Sequence, residues 1–106
     1  MKTLDQSYYC GASTTQIIYE TIGVYFDRIC DQYPDKVALI VRHQDVRWTY
    51  CEHQEMVDAF AVGLLSLGRA PGDREGTRGP NSHARIMEQH ATAQTCAIMV
   101  RFNPAY

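Results

Sequence analysis

Apolar positions recur at helical spacing from residue 22 onward, with Ile22, Tyr25, Phe26, Ile29, Cys30 and Tyr33 on one face. Thr21 can cap that helix and Pro34 ends it, so a helix of about three turns is predicted over 22–33. The pattern then changes period. Residues 36–42 are rich in aliphatic and β-branched side chains, residues 46–49 alternate, and His43-Gln-Asp45 lies between them. A short antiparallel hairpin fits this arrangement. Thr49-Tyr-Cys-Glu52 follows as a capping box: the threonine hydroxyl accepts from a first-turn amide while the glutamate reaches back to the threonine N–H.

The helix predicted from about Tyr50 to residue 67 carries Met56, Val57, Phe60, Ala61, Leu64 and Leu65 as one apolar stripe, and Gly68 supplies a left-handed stop. The stripe reads as core-facing surface, or alternatively as a partner-binding face. After the turn Arg69-Ala-Pro-Gly72, a short strand is expected at 73–78. A third helix capped by Asn81 or Ser82 carries Ile86, Met87, His90, Ala91 and Gln94 on one face, and a strand follows at 97–102. Strand, helix and strand make a βαβ unit with a parallel sheet. Residues 1–20 show neither period and are expected to be an extended N-terminal arm, leaving 21–106 as one domain-sized unit.

A length of 106 residues with 45% hydrophobic and 21% charged residues allows one small folded core. The longest apolar runs fall far short of the ~20 residues a membrane-spanning helix needs, so no membrane span is expected. Net charge is −2 and the ten Lys and Arg are scattered, which disfavours nucleic acid as a partner. The first twenty residues show no secretory or Arg-rich presequence pattern, so a cytoplasmic location is expected, with mitochondria the alternative if a presequence has been lost.

Candidate chemistry is thin. Cys10, Cys30, Cys51 and Cys96 lie ~20 or more residues apart without a Cys-x-x-Cys pair and are read as free thiols. His43, Cys51 and His53, with His83 and His90 later, are the nearest approach to a metal set, but zinc sites usually pair their ligands on turns. They are read as surface histidines and half-buried thiols. Gly68, Gly72, Gly76 and Gly79 match neither phosphate-loop pattern, and lysine is absent after Lys36. Asp27 and Asp31 sit one turn apart on what reads as a solvated face, and Asp73 and Glu75 flank Arg74; a general acid–base pair needs a shielded pocket that the sequence does not supply. No nucleophile elbow is present.

The order of several short stretches is more specific than any one of them. Thr21-Ile-Gly23 with Phe26-Asp27-Arg28, Tyr33-Pro-Asp35 with Ala38-Leu39, Arg47-Trp-Thr-Tyr50, Gly63-Leu-Leu65 with Leu67-Gly68, Pro71-Gly-Asp-Arg74, Gly79-Pro-Asn-Ser82, Ala91-Thr-Ala93, and Val100 with Asn103-Pro-Ala-Tyr106 together resemble the start of the AMP-forming acyl-CoA synthetases. Within those acyl-adenylating enzymes the similarity is greatest to the medium-chain fatty-acid branch. The resemblance implies an α/β fold, specifically an incomplete N-terminal part of the family's large domain: helix, β-hairpin, helix, then βαβ unit.

The resemblance also implies a truncated ligase fragment. The family activates a carboxylic acid with ATP and Mg²⁺ as an acyl-adenylate and passes the acyl group to coenzyme A, but its phosphate loop and adenylation lysine come later than residue 106. No catalytic, cofactor-binding or metal residue carries over to this chain, and no cofactor is expected in it. Its expected partner is the remainder of the ligase domain, or a second copy through self-association. The competing expectation is a small non-catalytic interaction module using the helix 50–67 face or the open sheet edge.

The chain departs from the family pattern toward its end. Glu75 and Thr77 stand where aliphatic residues are common, Arg78 where an apolar or aromatic residue is, Arg85 where tryptophan is, His90 where an aromatic or aliphatic residue is, and Cys96 where glycine usually ends the helix.

Overall fold

The computed structural model describes residues 10–106. The first nine residues of the expected arm lie outside the described residues, and residues 10–20 form neither helix nor strand and are exposed. Helix α1 spans Ile22–Gln32, strands β1 (Val37–Val41) and β2 (Val46–Thr49) flank a 3-10 turn at Arg42–Gln44, and α2 runs Tyr50–Ser66. Strand β3 (Arg74–Arg78), helix α3 (His83–Gln94) and strand β4 (Ile98–Phe102) complete the order. β1 pairs with β2 antiparallel, with a register irregularity between Val37 and Leu39. β3 pairs with β4 in parallel from Arg74 opposite Ile98 to Arg78 opposite Phe102.

Local chemistry explains most element boundaries. The Thr21 hydroxyl accepts from the Val24 amide at 3.3 Å and starts α1. At α2 the capping box is complete: Thr49 N–H donates to Glu52 Oε2 at 2.8 Å, and Glu52 N–H donates to Thr49 Oγ1 at 3.2 Å. The next amides are also satisfied, Tyr50 N–H by the Lys36 carbonyl at 2.9 Å and Cys51 N–H by the Pro34 carbonyl at 3.1 Å. The loop after α1 thus accepts donors that a helix start otherwise leaves orphaned, and ties α1, β1 and α2 together. Ala70-Pro-Gly-Asp73 closes as a turn, Asp73 N–H to Ala70 carbonyl at 3.0 Å, with Gly72 at φ +88° in the position that needs a positive angle.

The core is small and belongs to the three helices. Phe26 and Cys30 of α1, Val57, Ala61 and Leu64 of α2, and Met87 and Ala91 of α3 are buried together, with Trp48, Tyr50 and Phe60 packed against them. Gly23 lets α1 approach α3 closely: a Cβ there would stand 3.3 Å from Gln94 Cγ and 3.4 Å from its Cα. Gln54 Nε2 donates to Asp27 Oδ1 at 2.9 Å between α1 and α2, and Gln94 Nε2 to Asp58 Oδ1 at 3.1 Å between α3 and α2.

Two expectations about faces are corrected here. The α2 stripe is buried only along its Val57, Ala61 and Leu64 line, while Met56 and Leu65 are 42% and 53% exposed. The helices against which α2 packs contact one flank, and nothing among the described residues covers the other. Asp27 is half-buried under the Gln54 amide rather than solvated, whereas Asp31 is exposed.

The expected cap of α3 also changes. Ser82 occupies the cap position but its side chain makes no cap bond. Instead Gln44 Oε1, from the 3-10 turn of the hairpin, accepts from the His83 amide at 2.9 Å and from His83 Nδ1 at 2.8 Å. A residue 39 positions away does the work of a local cap.

The departures from the family pattern mostly find partners. Glu75 pairs with Arg69 Nε at 2.6 Å, and the Thr77 hydroxyl donates to Glu88. Arg85 Nη1 donates to the Gly79 carbonyl and to Asn81 Oδ1, each at 3.1 Å, and His90 Nδ1 donates to the Ile86 carbonyl at 3.0 Å. Arg78 is exposed. Cys96 keeps the glycine-type conformation, φ +57°, at a cost of roughly 1–2 kcal/mol for a residue with a Cβ. Cys96→Gly should relieve that strain, less the extra unfolded-state entropy of glycine. A net gain of roughly 0.5–1 kcal/mol and about 4 °C in the midpoint of a thermal melt is expected. Cys96→Ala, which keeps the Cβ, should gain nothing.

Candidate functional site

Among the described residues, the histidines gather with aromatic side chains into one cluster whose character sequence reasoning missed. His53, on the first turns of α2, is 3% exposed. Its ring lies 5.6 Å from Phe26 of α1, 6.1 Å from Trp48 of β2 and 5.4 Å from His90 of α3. Phe26 in turn sits 4.4 Å from His90, and Trp48 lies 5.2 Å from His83 at the start of α3. Every helix and the hairpin therefore contribute a ring to this cluster. The reading of these histidines as surface residues is wrong for His53, because the i, i+4 line of α2 that holds Val57 and Ala61 also holds position 53, while His90 is half-buried on the α3 face that carries Ile86 and Met87. Extending the apolar stripe of α2 one turn toward the N-terminus would have found His53.

His53 Nδ1 is buried without a hydrogen-bond partner among the described residues. Desolvation, reinforced by the neighbouring His90, lowers its pKa from 6.5 to about 4. The neutral ring is thus the folded form, and His53 serves as an aromatic core residue. His90 and His83 join this cluster as rings, but no group of three or more His, Cys, Asp or Glu side chains among the described residues is arranged to hold a metal ion.

The glycines do not build a phosphate cradle. Gly68 at φ +79° and Gly72 at φ +88° serve the turn between α2 and β3. At Gly76 a Cβ would come within 2.8 Å of Phe102 Cε2, so its bareness accommodates an aromatic ring rather than a ligand. Lys36 Nζ lies 4.4 Å from the centre of the Tyr33 ring, away from these turns in sequence and bound to its own neighbour. These residues do not fit a nucleotide triphosphate. Among the cysteines, Cys10, Cys51 and Cys96 are exposed free thiols, while Cys30 is buried. Burial, with help from Asp27 and Asp31, pushes the Cys30 thiol up to about 11, which leaves it protonated and unreactive at neutral pH.

The buried histidine gives a signed pH dependence. Above pH 6.5 the ring is neutral folded or unfolded and contributes no difference. Between 6.5 and about 4 the unfolded chain binds a proton that the folded chain refuses, so stability falls as pH falls through that window and the loss is complete below it. The full effect is on the order of 3 kcal/mol. Urea midpoints measured from pH 7 to 4 should therefore drop for the wild type and drop much less for His53→Leu. A wild-type midpoint that is flat across this range contradicts the assignment.

Comparison with known proteins accounts for a scaffold of this kind. The family model described as AMP-binding enzyme matches residues 26–106. The human mitochondrial medium-chain acyl-CoA ligase ACSF2 is 43% identical over 100 residues, covering 94% of this chain and 16% of the relative. Among solved structures, a fatty acyl CoA synthetase from Mycobacterium tuberculosis aligns with a TM-score of 0.78 at 28% identity, over 81% of this chain and 17% of that one. The N-terminal subdomain of NpsA from Klebsiella oxytoca, in complex with 3-hydroxybenzoyl-AMSN, aligns with a TM-score of 0.77 at 27% identity, over 87% of this chain and 24% of that one. The chain spans about 16% of the length of the curated ligases it matches. Its elements, from α1 to β4, are those with which adenylating enzymes begin, and the chain belongs to the AMP-binding enzyme family.

Proposed function

We propose that this chain contributes the opening scaffold of an ATP-dependent fatty-acid:CoA ligase acting on medium-chain acids. The reaction of that enzyme is activation of the carboxylate as acyl-AMP, with ATP and Mg²⁺, followed by thioester formation with coenzyme A. The observation that carries the reading is the 43% identity to a medium-chain acyl-CoA ligase across 94% of the chain. In this reading residues 21–106 are the first part of the N-terminal domain and residues 1–20 an arm ahead of it. The chain by itself supplies position, not chemistry: its glycines serve turns and packing, and its one buried histidine is a core residue.

The surface agrees with such a role. Met56, Val62, Leu65 and Leu67 leave the outer flank of α2 apolar and exposed, and Ile98 and Phe102 do the same on β4. The partner that fits these faces is the rest of the ligase domain. Named relatives are mitochondrial, which supports the mitochondrial alternative over a cytoplasmic location.

A chimera tests the reading. Residues 7–106 would replace the matching segment of the human ligase, and acyl-CoA formation from octanoate, ATP and CoA would be measured. Activity within about tenfold of the parent is expected, because conserving the scaffold leaves the transition-state contacts in place and each tenfold loss corresponds to about 1.4 kcal/mol. A chimera that melts cooperatively but makes no acyl-CoA would overturn the proposal.

A further inference from the structure

A cleft of about 370 Å³ opens between the hairpin and α3. It falls within the size range of small-molecule sites, ~300–1,000 Å³. Leu39 and Val41 of β1 and Ile86 of α3 supply apolar lining, and Arg42, Arg85 and Arg101 line it as well. No carboxylate is among the lining residues, in a chain whose net charge is −2.

Among the described residues, no carboxylate pairs with any of the three guanidiniums. Arg85 Nη1 bonds only neutral acceptors, the Gly79 carbonyl and Asn81 Oδ1, and Arg101 Nη2 donates to the neutral Gln89 amide oxygen at 2.7 Å. Arg42 makes no hydrogen bond or ion pair through its side chain among the described residues, where the ion pairs are Arg28 with Glu20 and Arg69 with Glu75. The cleft also sits at the N-terminal end of α3, where the Ser82 hydroxyl is free of any capping bond. Arginine forks match phosphate oxygens in geometry as well as charge, and cationic groups set in a cleft with apolar walls hold an anion better than the same groups in open water.

We propose that this cleft binds a small organic phosphate, its dianionic head among Arg42, Arg85 and Arg101 and its apolar body against Leu39, Val41 and Ile86. A phosphate is favoured over a carboxylate because three unneutralised cations match a dianion better than a monoanion. The inference does not rest on the proposed ligase role, and it can be tested on the chain itself whatever the chimera does.

Calorimetric titration with hexyl phosphate, hexanoate and hexanol distinguishes the contributions. Saturable binding of hexyl phosphate is expected, at least tenfold tighter than hexanol and at least threefold tighter than hexanoate, and weakening as salt rises from 50 to about 300 mM because exposed charges are screened. Arg42→Ala, at an exposed position with no structural bond, should weaken hexyl phosphate at least fivefold without shifting the thermal melt. Arg85→Ala should weaken it as well but also loosen the 79–85 turn, so Arg42→Ala is the decisive variant. Equal binding of hexanol, preference for hexanoate, no saturable heat with hexyl phosphate, or undiminished binding in Arg42→Ala would each overturn the proposal.

Discussion

The meeting of three helices over the line Val57, Ala61 and Leu64 is the contact on which the rest of this molecule depends. Phe26 and Cys30 reach it from α1, Met87 and Ala91 from α3. Small residues make the approach close enough, with Ala61 and Ala91 at the centre and Gly23 where α1 passes Gln94. Neither pair of strands could stand alone, since a two-stranded sheet in water is marginal at best. The hairpin is held because its second strand runs directly into the α2 capping box, and the parallel pair because its crossover helix is α3.

Polar residues are placed on that frame in a way that avoids orphaned charge. An unpaired charge in a protein interior costs several kcal/mol, and the βαβ unit carries several charged or polar residues at positions where an apolar one would be expected. Glu75 finds Arg69, Thr77 finds Glu88, and Arg85 bridges Gly79 and Asn81. Each partner lies on the same unit or on the turn leading into it, so the unit is compatible with its own sequence. Two buried atoms lack a hydrogen bond among the described residues: Glu75 Oε1, which has the charge of Arg69 beside it, and His53 Nδ1, where the molecule answers by holding the ring neutral.

The proposed scaffold role rests on what is well built and what is not. The elements that position the chain, its caps, turns and helix contacts, are largely satisfied, while no group of three or more His, Cys, Asp or Glu among the described residues is arranged to hold a metal ion.

How much of this was legible in the sequence divides by distance along the chain. The Thr21 cap, the Thr49 and Glu52 box, the Pro71-Gly72 turn and the left-handed stop at Gly68 were all readable, because each depends on atoms within about four residues. The parallel βαβ pairing was readable as well, since a helix between two strands leaves few other topologies. Burial was not. Whether Met56 or Val57 faces the core, whether Asp27 is solvated, and whether His53 is a surface ligand or a core ring depend on which flank of a helix its neighbours occupy. The Gln44 cap on α3 and the arginine-lined cleft likewise join segments about 40 residues apart. Those contacts carry no local pattern: the same side chains at the same spacing would be exposed had α1 and α3 packed against the other side of α2, so only the tertiary structure could decide them.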